Sequence, residues 1–248
     1  MKILAIESSG VVASVALLED GRLIGEYTTN HKQTHSQTLV PMLDQLRTML
    51  QFEMKEIDAI AISKGPGSFT GLRIGSATAK GLGLALNCPL VEVSTLQGLA
   101  YNLYGCAGIV CPMMDARRNQ VYTAAYRFVK NENHGYDMKE LLAPAALDLN
   151  TLITELANFE EPVTLLGDGA VAYKEALEQN SSFSFTYAPA ASMYQRAASI
   201  AALGEHFFRE GKGILAEEHQ PEYLRKSQAE REREEGRGPA VKIEHGHS

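Results

Sequence analysis

Short apolar runs and helical apolar spacings take turns along this chain. Residues 2–7, 11–18, 57–62, 89–93, 108–114, 120–129 and 163–166 carry few polar side chains and predict strands, several of them buried on both faces. Asp20-Gly21 predicts a hairpin turn into a further strand over 23–27. Between strands, Leu39, Leu43, Leu46 and Leu50 recur on one helical face, with Ser36 or Thr38 as the N-cap and Pro41 fitting only near the first turn. Helical patterns also cover 76–86, 96–104, 152–156 behind an Asp148 or Asn150 cap, and 193–209, where Ala197, Ile200, Ala201, Gly204 and Phe208 share a face.

The order βββαβαβα over residues 1–105 begins again, more loosely, from residue 106. A duplicated unit of this kind predicts an α/β fold with two ribonuclease-H-like halves, 1–105 and 106–225. That is the plan of the actin-like ATPase and sugar kinase superfamily (ASKHA), whose nucleotide sits between the halves. Residues 226–248 are rich in Ser, Glu, Arg, Gly and His with almost nothing to bury, and are expected to be a disordered tail.

The composition adds limits. With 248 residues and 45% hydrophobic content, the chain has material for a full core. No window approaches 18 uncharged apolar residues, and the N-terminal run reaches Glu7 too soon for a signal h-region, so no membrane and a cytoplasmic address are expected. A net charge of −7 does not suit a protein that neutralises many phosphates alone, so any tRNA is expected to be met through a complex. The three cysteines, Cys88, Cys106 and Cys111, fit no metal or disulfide spacing and read as reduced core residues.

Candidate chemistry centres on Ser63-Lys64-Gly65-Pro66-Gly67-Ser68-Phe69-Thr70-Gly71-Leu72-Arg73-Ile74-Gly75, a loop joining a strand end to a helix start. Gly65, Gly67 and Gly71 permit close backbone approach, Ser68 and Thr70 supply hydroxyls, and the helix N-terminus favours an anion, so these residues form a candidate phosphate or nucleotide site. A tight turn explains the same residues equally well. Glu7, Asp115 and Asp168 end strands, where carboxylates could serve magnesium or simply act as turn and cap residues. Gly75, Ala79 and Gly83, four apart, form a stripe of small residues that suits either a partner helix or close packing on the chain's own sheet. Together with Leu39, Leu43, Leu46 and Arg73, it is the candidate partner or dimer interface. His31 and His35 are four apart but lack an evident third ligand, so no metal site is expected.

Several blocks resemble the TsaB (YeaZ) family. They are Ile3 to Ser9, His35-Ser36 with Leu39 and Pro41, Gly65 to Gly75 with Ala79-Lys80-Gly81, Asp115-Ala116-Arg117, Val121-Tyr122, Gly167-Asp168-Gly169 and Pro221-x-Tyr223-Leu224-Arg225. The resemblance implies a non-catalytic accessory subunit of N6-threonylcarbamoyladenosine (t6A) synthesis at adenosine 37 of tRNAs reading codons that begin with A. It implies TsaD as catalytic partner, the ATPase TsaE as a further subunit, a homodimer in the absence of TsaD, and ATP or ADP only in the complex. The metal-binding His-x-x-x-His of TsaD-type relatives has no counterpart here, because Thr95 and Leu99 stand at those positions. Two rivals remain: an active ATPase or small-molecule kinase using the glycine loop, and a peptidase, for which no nucleophile grouping is visible.

Overall fold

The computed structural model describes residues 1–31 and 34–224, so the tail expected over 226–248 lies outside the described residues. The first sheet holds β1 (Lys2–Glu7), β2 (Ala13–Glu19), β3 (Arg22–Thr29), β4 (Ala59–Gly65) and β5 (Leu90–Ser94) in the order β5-β4-β1-β2-β3. The second holds β6 (Ile109–Arg117), β7 (Gln120–Lys130), β8 (Tyr136–Asp148), β9 (Val163–Leu166) and β10 (Phe185–Tyr187) in the order β10-β9-β6-β7-β8. The two orders correspond strand for strand. In each, an antiparallel meander of three strands continues into two parallel ones, so the duplicated ribonuclease-H-like plan of the actin-like fold is present.

Both sheets are covered on both faces, which is why their inner strands read as unbroken apolar runs. Leu4, Ile6, Ile60 and Ile62 point to one side, beneath α1 (His35–Leu50) and α2 (Phe69–Leu86). Their neighbours Ile3, Ala5, Ala59 and Ala61 point to the other, against α7 (Ala197–Arg209). The second sheet packs Ile109, Cys111 and Met113 beside α4 (Leu149–Ala157), α5 (Asp168–Ala172) and α6 (Lys174–Asn180). Its opposite face, with Val110, Met114 and Tyr126, meets α3 (Thr95–Tyr101). Each fully buried Leu or Ile contributes roughly 1.5–3 kcal/mol.

Several elements depart from the sequence expectation. The helix expected to begin near Ser36 or Thr38 starts at His35 behind Thr34, and Pro41 is its seventh residue rather than part of its first turn. Pro41 is exposed, so the carbonyl whose hydrogen bond it removes faces water, which makes the interior proline tolerable. The last helix starts at Ala197, not Met193, with Ser14 Oγ accepting the Ala197 N–H at 3.0 Å and Glu26 accepting that of Ala198 at 2.9 Å. The chain also returns to its first half: α7 packs on the first sheet, and β11 (Gly213–Ile214) pairs with β5 as its sixth strand.

Candidate functional site

The glycine loop is shorter than its sequence suggests, because its second part is already helix. β4 ends at Gly65 and α2 begins at Phe69, so only Pro66, Gly67 and Ser68 link them. Thr70, Gly71, Arg73 and Gly75 lie in the first turns of α2. Ser68 starts the helix from an extended N-cap, its Oγ accepting the Gly71 N–H at 3.3 Å and its carbonyl the Leu72 N–H at 2.8 Å. Gly65 sits at φ +123°, a conformation that side-chain-bearing residues rarely adopt.

What these glycines admit is the chain itself. A Cβ on Gly67 would stand 2.2 Å from the Ser9 carbonyl oxygen, and one on Gly71 would stand 2.1 Å from that of Ser8. On Gly75 it would meet Ser8 Oγ at 2.3 Å, and on Gly65 the Glu222 carbonyl oxygen at 2.3 Å. Hydrogen bonds fasten the contact: the Ser68 N–H donates to the Ser9 carbonyl at 2.6 Å, and Ser8 Oγ donates to the Gly71 carbonyl at 2.9 Å. The turn between β1 and β2 thus occupies the space that side chains at Gly67, Gly71 and Gly75 would take.

A C-terminal strap closes the loop from the other side. Beyond β11, Ala216 packs on Gly83, and His219, 1% exposed, places Nδ1 2.7 Å from Glu92 Oε1. Burial opposes ionisation of Glu92, but the hydrogen bond and charge of His219 and the charge of Lys64 outweigh it and hold the carboxyl below its ordinary value. The Glu222 N–H donates to the Lys64 carbonyl at 2.7 Å, and its carboxylate lies 3.2 Å from Lys64 Nζ. Tyr223 then stacks on Phe69, ring centres 4.6 Å apart, while the Arg73 guanidinium lies 4.0 Å over the same Phe69 ring. Sequence reading found Tyr223 only as part of a family block; its contact with Phe69, far away in the chain, carries no local signal.

Glu7 lies beneath this corner, 1% exposed, with Oε1 accepting the Ser9 N–H at 2.6 Å and Oε2 without a partner among the described residues. Burial raises its pKa despite the hydrogen bonds from Ser9. Ser63, Thr95 and Gln195 are likewise buried with unpartnered polar atoms, and the Gln195 amide nitrogen is 2.6 Å from where a Gly10 Cβ would be. In the second half Asp168 is pushed up to about 6 by burial and by the charge of Asp115, whose Oδ1 accepts the Tyr173 hydroxyl at 3.0 Å. Residues 193–195 tie the two strand-end clusters together, since the Met193 carbonyl accepts the Gly167 N–H at 2.7 Å while Gln195 rests on Gly10.

Thr95 and Leu99 are 0% and 1% exposed within α3. His35 Nε2 lies 2.8 Å from the Gly10 carbonyl, to which it donates, and His31 is exposed. No group of three His, Cys, Asp or Glu set to hold a metal occurs among the described residues. The cysteines are unpaired, with Cys88 and Cys111 buried and Cys106 half-buried.

The small-residue stripe needs correction. Ala79 is 0% exposed, Gly75 abuts Ser8, and Gly83 abuts Ala216 and Leu90, so the stripe faces its own sheet and strap. Leu39 and Leu46, 0% and 2% exposed, are core residues on the inner side of α1, and Leu43 packs half-buried beside them. The outward side of α2 lies two residues away: Arg73, Ala77, Gly81, Leu84 and Ala85 are exposed, and no atom of the described residues lies within 4 Å of a Cβ on Gly81. Val40 and Met49 of α1 add apolar surface, 58% and 71% exposed. Helical periodicity found the spacing of Gly75, Ala79 and Gly83 but could not say whether that stripe turned inward or outward.

Residues 22–233 match the family described as TsaD: tRNA N6-adenosine threonylcarbamoyltransferase. The chain is 33% identical over 235 residues to the tRNA threonylcarbamoyladenosine biosynthesis protein TsaB of Bacillus subtilis, covering 93% of this chain and 96% of that protein. It is 31% identical over 234 residues to TsaB of Escherichia coli, covering 92% and 96%. Among solved structures, YeaZ from Pseudomonas aeruginosa superposes with a TM-score of 0.70 at 28% identity, covering 90% of this chain and 99% of that one. A second P. aeruginosa structure, described as an uncharacterized protein with similarity to peptidase YeaZ, gives 0.73 at 28% identity and the same coverage.

Proposed function

This chain belongs to the TsaB (YeaZ) family of tRNA threonylcarbamoyladenosine biosynthesis proteins, and from that premise we propose that it is the complex's non-catalytic subunit. It binds a TsaD-type transferase and activates it for t6A formation at adenosine 37 of tRNAs reading codons that begin with A. TsaE joins the same assembly, and any ATP or ADP is held in the complex rather than by this chain alone. One observation carries the reading: the glycine positions that would admit a phosphate are filled by the carbonyls of Ser8, Ser9 and Glu222. A loop so occupied braces the start of α2 and the surface beside it. The outer side of α1 and α2, with Val40, Met49, Arg73, Ala77, Gly81 and Leu84, is the face offered to the partner and, without it, to a second copy.

The kinase or ATPase reading requires the Ser8–Ser9 turn to withdraw. Light scattering of the chain alone and mixed with a TsaD-type subunit, alongside nucleotide turnover by the isolated chain, tests the proposal. A stoichiometric heteromer and no turnover are expected. Turnover by the chain alone would overturn it.

A further inference from the structure

The β6–β7 hairpin is built against its own turn chemistry. Arg117 pairs with Gln120, leaving Arg118-Asn119 as a two-residue loop. Three successive side-chain-bearing residues there, Arg117, Arg118 and Asn119, have φ of 64°, 57° and 59°. A hairpin with positive φ at both central positions favours Asn-Gly or Asp-Gly, and arginine is a poor occupant. The surroundings nevertheless hold this geometry firmly. Asp115 Oδ1 accepts the Arg117 N–H at 2.8 Å, Asp115 Oδ2 lies 3.1 Å from Arg117 Nη1, and the Asn119 carbonyl accepts the Leu149 N–H at 3.1 Å. Backbone strain that the surroundings enforce gathers where a side chain has work to do.

We propose that this tip is a contact for RNA backbone phosphate, made by Arg118 with Arg117 beside it. The Arg117 side chain is 87% exposed, and Arg118 is exposed with no hydrogen-bond or ion-pair partner among the described residues. Every tip residue is polar. A protein partner's contact surface centres on apolar or aromatic anchors and is depleted of charge at its core, whereas a nucleic-acid backbone is met by charged, wet contacts, and the planar guanidinium fork matches phosphodiester oxygens. With a net charge of −7, the chain does not draw RNA in by its overall field, so the contact is local and works once a complex has brought the tRNA near.

The inference rests on the proposed membership of a tRNA-modifying complex, and its test separates the two. Arg118→Asn puts a residue that tolerates positive φ at the strained position, so the variant should melt no lower than wild type. Wild type and variant are each mixed with the TsaD-type subunit, complex formation is read by light scattering, and affinity for unmodified tRNA is read by fluorescence anisotropy at several salt concentrations. The expected result is an intact complex with tRNA bound roughly three- to tenfold more weakly and a salt slope lower by about one. Unchanged tRNA affinity with an unchanged complex overturns the inference. Loss of the complex with tRNA affinity otherwise unaltered also overturns it, assigning the tip to a protein. Failure of the wild-type chain to form a complex at all strikes at the proposed function, and overturns the tip contact with it, since that contact works only within a complex.

Discussion

Gly67→Ala is the substitution that bears most directly on the occupied glycine loop. The new Cβ would stand 2.2 Å from the Ser9 carbonyl oxygen and 3.0 Å from the Ser9 carbonyl carbon, and both obstacles are backbone. Ordinary contact begins near 3.4 Å, so the β1–β2 turn and the loop must separate by more than 1 Å. That separation breaks the 2.6 Å bond from the Ser68 N–H to the same carbonyl. Ser9 is buried but Ser68 is exposed and can turn to water, so the lost bond costs about 0.5–1.5 kcal/mol, and the overpacking adds about 1–3 kcal/mol. The expected loss is about 1.5–4.5 kcal/mol, which for a chain of this size lowers Tm by roughly 3–18 °C. Gly81→Ala is the matched control. It sits in the same helix with nothing within 4 Å of the added methyl, so helix propensity should raise stability by about 0.4–1 kcal/mol. Circular-dichroism melts of the three proteins, with and without ADP, measure both effects. Melting of Gly67→Ala within about 2 °C of wild type, or ADP raising the wild-type Tm by several degrees, would refute the argument that the chain itself fills this loop.

Two further substitutions follow from burial. Ala77→Arg on the exposed side of α2 should leave the melt unchanged and abolish self-association and partner binding in light scattering, while Ala79→Arg, at 0% exposure, should prevent folding. Equal behaviour of the two would contradict the assignment of faces. Because burial raises the Glu7 pKa, the folded state holds that proton more tightly than the unfolded one, and stability falls as pH rises above the unfolded value of 4.5 toward and through the folded pKa. Glu7→Gln removes this dependence, so its urea midpoint should gain on wild type at pH 8 and gain less at pH 5; a gap independent of pH would show that Glu7 does not titrate as described.

The legible parts of the fold were those with local causes. β1 and β9 fall on their apolar runs, Asp148 caps α4 by accepting the Thr151 N–H at 3.0 Å, and the repetition of the strand order was visible from the spacing of the runs. Features with distant causes were not. β8 carries half-buried and exposed residues such as Lys139 and Glu140 and has no clean alternation, so nothing marked it as a thirteen-residue strand. The helix start at Phe69 was hidden because glycines inside α2 look like loop until the Ser8–Ser9 turn that requires them is seen. The strap depends on Glu92 and Phe69, more than a hundred residues away. Which stripe of α2 faces outward likewise rests on sheet placement, and the periodicity of Gly75, Ala79 and Gly83 alone is silent on it.

The central claim is that this chain enables a transferase and does no chemistry itself. The most direct measurement is t6A formation on unmodified tRNA with ATP, threonine, bicarbonate, the adenylate-forming enzyme, TsaD and TsaE, with and without this chain. The account predicts product only when the chain and TsaD are both present, and none from the chain with TsaD omitted. Equal product without the chain, or nucleotide turnover by the chain alone, would contradict it.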